Sequence, residues 1–83
     1  MDPLARQFGA VVRRKREAAS VSQEALAESA GLHRTYISML ERGVRMPSIL
    51  VARQVAEALG TTLGALLTEV DQEPAPKKSK KKT

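Results

Sequence analysis

"GLHRTYISMLERG", residues 31–43, is a short helical pattern held between two glycines. Wound as a helix, it turns Leu32, Ile37 and Leu40 to one side, as a buried stripe requires. The other side carries Arg34, Thr35, Ser38, Met39 and Arg42, a mixture of cations, hydroxyls and a thioether. Immediately before it, "SQEALAESA", residues 22–30, reads as a second helix capped by Ser22, with Gln23 and Glu24 in its first turn. Gly31 ends that helix by admitting positive φ. The connection "SAGL" is minimal, so the following helix must cross the preceding one at a large angle, which is the helix-turn-helix unit. Leu26 supplies the first buried side chain of the unit, and Ala27 is small where the two helices touch.

The flanking sequence supplies three more helices. The first is expected over Pro3–Ala19, with Leu4, Phe8, Val11, Val12 and Ala18 on its inner face. The helix of the opening stretch is expected over Arg34–Arg42. Pro47 disfavours helix in Met46, and Ser48 caps a fourth helix reaching Leu59, with Ile49, Ala52, Val55, Ala56 and Leu59 as its inner stripe. Thr62 caps a short fifth helix with Leu63, Leu66, Leu67 and Val70 inside, although Gly64 weakens it by about 1 kcal/mol against alanine. Strand patterns and internal repeats are absent. The expected fold is all-α with five helices in one domain over residues 3–70, followed by a disordered lysine-rich tail over residues 71–83.

Composition limits the function. The chain has 83 residues, one Phe, one Tyr and no Trp, so its core is aliphatic. A domain of this size buries only about 60% of its unfolded surface, which leaves little room for a catalytic cleft. Without cysteine there is neither disulfide nor thiolate site, and the single histidine, His33, leaves zinc without a ligand set. No apolar run approaches the ~20 residues of a membrane span, and the N-terminus lacks the order of a secretory signal. The expectation is a cytoplasmic protein that is not an enzyme and has no metal, cofactor, membrane or small-molecule ligand. The net charge of +5 is misleading by itself. Residues 1–73 hold nine Lys or Arg against nine Asp or Glu, so the entire surplus is Lys77, Lys78, Lys80, Lys81 and Lys82. What matters is where the charges of the domain lie.

"SQEALAESAGLHRTYISMLERGVRMPS", residues 22–48, followed by "VAEALG", residues 55–60, resembles the Cro/C1-type helix-turn-helix family of phage repressors and their bacterial relatives, also called the XRE family. The resemblance extends over about residues 6–68. It implies a λ-repressor-like DNA-binding domain of five helices that acts as a dimer. Arg34, Thr35, Ser38 and Met39 then fall where the family reads bases, and they offer the donors, acceptors and apolar contact that the major groove demands. Gln23 and Arg45 fall at phosphate contacts, and Arg42 and Arg13 are further candidates. Arg13 belongs to a basic cluster with Arg14 and Lys15, of which one or two members touch phosphate. His33 stands at the N-cap, where its imidazole either caps the helix, the preferred reading, or approaches a phosphate. Tyr36 either leans on the sugar-phosphate backbone or packs.

The resemblance further implies a structural ion pair between Arg16 and Glu41, locking the first helix onto the third, with Arg16 also able to face a phosphate. Three departures stand out: Val44 replaces a second basic residue, Leu50 and Val51 replace polar ones, and Arg53 replaces an apolar one. A homodimer contact is expected on the fifth helix at Leu63, Leu66, Leu67 and Val70, and the lysine tail serves either nonspecific phosphate affinity or solubility. The implied function is a sequence-specific transcriptional regulator binding double-stranded DNA at an inverted-repeat operator. The alternatives using the same domain are the antitoxin of a toxin–antitoxin pair and a restriction–modification controller.

Overall fold

The computed structural model describes residues 2–75, and the tail lysines lie outside them. Among the described residues the secondary structure is helical: α1 Pro3–Ala18, α2 Gln23–Ala30, α3 Arg34–Glu41, α4 Ile49–Ala58 and α5 Leu63–Gln72. Each start has a local cause. Asp2 accepts from the Leu4 N–H at 2.8 Å, with Pro3 preset for the first helical position. Ser22, Ser48 and Thr62 accept from the N–H groups of Ala25, Val51 and Ala65 at 3.0, 3.1 and 3.1 Å, as their caps predict. The α1, α3 and α4 ends fall one residue inside the expected ones because Ala19, Arg42 and Leu59 serve as C-caps.

The turn between α2 and α3 is the expected one. Gly31 adopts φ 73°, and Leu32 N–H reaches back to the Ala27 carbonyl at 2.8 Å, so the helix terminates in a left-handed cap. All five helices contribute to one core, in which Val11, Val12, Leu26, Ile37, Leu40, Val55 and Leu66 are fully buried. The helix-turn-helix pair sits against α1 on one side and α4 on the other. Among the described residues no single helix is long and apolar enough to cross a membrane.

Three expectations about helix faces and one about a helix end are corrected. Leu4 is 50% and Ile49 75% exposed, and Ala18 is also exposed, so none belongs to the core. The core stripe of α1 runs through Ala5, Phe8, Val11 and Val12 instead, and that of α4 through Ala52, Val55 and Ala56. Leu66 and Val70 are buried inside the monomer, which removes them from the expected dimer contact. Leu63 is half-buried and Leu67 is exposed, so the free apolar surface of α5 narrows to them. Finally, ordered helix continues past residue 70 to Gln72, and Glu73 is tied to α1. Its carbonyl accepts from the Gln7 side chain, and its carboxylate meets Arg14 at 2.8 Å.

Candidate nucleic-acid interface

The outward face of α3 exists because its inner face is so thoroughly used. Ile37 and Leu40 have no exposed surface, which fixes the rotation of the helix about its axis. Arg34 and Thr35 are consequently exposed, Ser38 and Met39 half-buried, and Arg42 exposed at the C-terminal end. Spacing of four along the helix stacks Arg34, Ser38 and Arg42 in one row, with Thr35 and Met39 beside it. The face is convex and carries donors, hydroxyls and one thioether.

Glu41 anchors this helix to its neighbours. Its carboxylate accepts from Arg16 Nε at 2.6 Å and Nη2 at 3.1 Å, a bidentate geometry, and its side chain is only 3% exposed. Arg16 also donates from Nη1 to the Val21 carbonyl at 2.8 Å. The guanidinium is held above its ordinary pKa, chiefly by the hydrogen bond to Glu41, which outweighs the opposing effect of burial. Gln23 joins the same carboxylate, donating from Nε2 to Oε1 at 3.0 Å. Its amide is thereby fixed at the start of α2, with the carboxamide oxygen still free to accept.

The remaining charges are sorted by position. Arg13 pairs with Glu17 at 3.1 Å, Arg14 with Glu73 at 2.8 Å, Lys15 with Glu69 at 2.9 Å and Arg53 with Glu57 at 3.3 Å. Arg14 and Lys15 therefore bind α1 to α5, with the Arg14 side chain still 55% exposed. The Arg13–Glu17 and Arg53–Glu57 pairs are more than half exposed on both partners and are worth about 0–1 kcal/mol each. Among the described residues, Arg6, Arg34, Arg42 and Arg45 form no ion pair; Arg6 is a half-buried α1 side chain packed beside Gly43. The other three lie on α3 or the loop after it, where the one carboxylate, Glu41, is already neutralised by Arg16. A domain with no net charge thus presents an uncompensated positive surface.

His33 takes the N-cap backbone conformation but makes no side-chain cap hydrogen bond, so the preferred capping role is not realised and the exposed imidazole is unengaged. Tyr36 is half-buried against the core, and the Arg45 guanidinium carbon lies 5.3 Å from its ring centroid. Two features went unread in the sequence. Gly9 is buried where α1 meets the carbonyls of Leu40 and Glu41. A lone glycine in the middle of a strong amphipathic helix was its available signal. Beside the loop, Leu4, Met46, Ile49, Leu63 and Leu67 line a shallow apolar groove floored by Phe8, Ala52 and Val70.

The family profile described as Helix-turn-helix matches residues 12–66. The control protein C.SmaI of Serratia marcescens is 46% identical over 57 residues, covering 69% of this chain and 68% of the relative. An uncharacterized HTH-type transcriptional regulator of Mycobacterium tuberculosis is 47% identical over 51 residues. That match covers 61% of this chain but 36% of the relative, so the chain spans little more than a third of that longer protein. Among solved structures, the restriction–modification controller C.AhdI of Aeromonas hydrophila superposes with a TM-score of 0.72 at 37% identity, covering 75% of this chain and 94% of the other. The controller C.Esp1396I, solved as a tetramer with its natural 35 base-pair operator, gives 0.74 at 27% identity, covering 84% and 97%.

Proposed function

This chain belongs to the helix-turn-helix family, and from that premise we propose that it is a sequence-specific transcriptional regulator that binds an inverted-repeat operator as a homodimer, with α3 in the major groove. The observation that carries the reading is the segregation of charge: every cation of α1 and α4 except the half-buried Arg6 is matched by an acid, whereas Arg34, Arg42 and Arg45 are left free on α3 and its loop. The family consists of DNA-binding regulators, and the reading assigns the protein no reaction and a cytoplasmic location.

Within it, Arg34 forks onto a guanine edge, Thr35, Ser38 and Met39 complete the base contacts, and Arg42 and Arg45 meet phosphates. Gln23, Arg13, with its weakly paired guanidinium, and the free His33 imidazole flank them. An anisotropy titration against duplexes selected from a random pool tests this assignment. Arg34→Ala is expected to lose about 1–3 kcal/mol of discrimination at one base pair per half-site. Arg42→Ala is expected to weaken all sequences alike and to lower the salt slope by about one per contact. Equal, sequence-independent losses from both variants would overturn the base-reading role of Arg34.

A homodimer follows from the apolar groove. Met46, Ile49 and Leu67 are 47%, 75% and 41% exposed around one groove, an apolar surface of the kind that a second copy can cover. Two domains related by a two-fold axis through this groove present their α3 helices to successive major grooves about 34 Å apart. Ile49→Lys leaves the core untouched and is expected to give a monomer by sedimentation equilibrium, with operator affinity reduced at least tenfold. A dimer unchanged by Ile49→Lys and by Leu67→Lys places the contact elsewhere.

A narrower reading is favoured by the likeness to C.SmaI and C.AhdI: a controller of a restriction–modification system. It predicts methyltransferase and endonuclease genes beside this one, and their absence returns the protein to the general reading.

A further inference from the structure

We infer that Tyr36 is a positioning residue, acting on DNA through Arg45 by holding that guanidinium over its ring for a backbone phosphate. The inference rests on the DNA-binding reading and adds a role that the reading does not contain. Arg45 belongs to the loop between α3 and α4, is exposed, and among the described residues has no carboxylate to hold it. A long cationic side chain in such a loop would ordinarily sample many rotamers, and ordering it on a phosphate would cost affinity. Tyr36 removes much of that freedom. Its ring is packed against the core and its N–H bonds the His33 carbonyl at 3.0 Å, so it is a fixed platform at the start of α3.

With its central carbon 5.3 Å from the ring centroid, the Arg45 guanidinium is within the ~6 Å over which the face of an aromatic ring attracts a cation. A guanidinium held by its face keeps its N–H edges free, and those edges are what a phosphate oxygen accepts from. The ring therefore orders the donor without competing for it. The hydroxyl plays no part, which separates this role from a direct phosphate contact by Tyr36.

The test combines a measurement without DNA and one with it. In NMR spectra of the free protein, the Arg45 δ-methylene protons are expected upfield of those of the other arginines, shifted by the ring current. That shift persists in Tyr36→Phe and is lost in Tyr36→Leu, which keeps apolar filling of the half-buried site. In anisotropy titrations, Tyr36→Phe binds within about twofold of wild type. Tyr36→Leu is expected to weaken operator and random duplex alike by about two- to fivefold. In an Arg45→Ala background Tyr36→Leu changes nothing further, and the salt slope has already dropped by about one. If Tyr36→Leu fails to fold, Tyr36→Met takes its place.

Three results overturn the inference: a free protein without the upfield shift, a Tyr36→Phe variant as weak as Tyr36→Leu, or a Tyr36→Leu loss that persists undiminished without Arg45. A wild-type protein that shows the shift yet binds no duplex overturns the DNA-binding reading itself, and this role with it.

Discussion

Gly9→Ala is expected to remove about 3 kcal/mol or more of stability, a drop in melting temperature on the order of 12 °C or greater. A Cβ at this position would lie 2.1 Å from the Leu40 carbonyl oxygen and 2.7 Å from that of Glu41. Both are backbone atoms, so no rotamer change relieves the clash. Relief requires α1 to retreat from α3 by more than an ångström, and that retreat loosens Phe8 and Val12 against Ile37 and Leu40. Overpacked cores usually lose about 1–3 kcal/mol when side chains can yield, and here the yielding must be done by whole helices. A domain this small holds only about 5–10 kcal/mol in all. Gly64→Ala is the control, because nothing lies within 4 Å of its added Cβ. In the first turn of α5 that change is expected to raise stability by about 0.4–1 kcal/mol through the unfolded chain. Circular dichroism melts of the two variants check both signs, and a Gly9→Ala protein melting within about 3 °C of wild type rules out the close approach of α1 to α3.

The contrast between the two glycines shows what a single sequence can and cannot convey. Caps and breakers are local, and they were legible. Ser22, Ser48 and Thr62 start helices, and Gly31 turns the chain, through bonds that span three to five positions. The outward set Arg34, Thr35, Ser38, Met39 and Arg42 was legible for a related reason, since the burial of Ile37 and Leu40 fixes the opposite face. Contacts between distant parts of the chain were harder to see. That Gly9 meets the end of α3, and that Arg14 and Lys15 meet Glu73 and Glu69, depends on how the helices pack. Their apolar and charge patterns do not encode the partner. The Arg16–Glu41 pair also joins distant parts of the sequence and is expected only because the family pattern carries it.

Misassigned faces have a different origin. An apolar stripe reports that a face is hidden from water, without saying whether the same chain or a second copy hides it. Leu66, expected at a dimer contact, closes the monomer core, while Ile49, expected in the core, is open. The two exchanges are one error, made where a small domain has nearly as much apolar surface facing a partner as facing itself.

Glu41→Ala is the other substitution expected to be severe, at about 3–5 kcal/mol. The carboxylate has three donors on it, two from Arg16 and one from Gln23, and its removal leaves all three without an acceptor. The Arg16 side chain is only 12% exposed, so water cannot replace the lost partner well, and the Val21 carbonyl alone does not balance the charge. By comparison, Glu57→Ala breaks a pair exposed on both sides and is expected to cost no more than about 1 kcal/mol. The pH dependence has a definite sign. A guanidinium whose pKa is raised on folding stabilises the protein at every pH below its unfolded value and loses that contribution only in strong base. The share of the Glu41→Ala deficit that Arg16 sets is therefore expected to be equal at about pH 6 and pH 8. Combining Glu41→Leu with Arg16→Met separates the pair from its surroundings. Apolar side chains of similar volume replace buried ion pairs with little loss, so the double variant is expected to recover most of the stability that either single variant forfeits. Its DNA binding then settles a point of mechanism, because the exchange removes one cation and one anion together. If the arginine serves only to hold α1 on α3, operator affinity and salt slope stay near wild type. If it also faces a phosphate, the fold survives while the slope falls by about one. With its donors turned onto Glu41 and Val21, Arg16 is expected to give the first result.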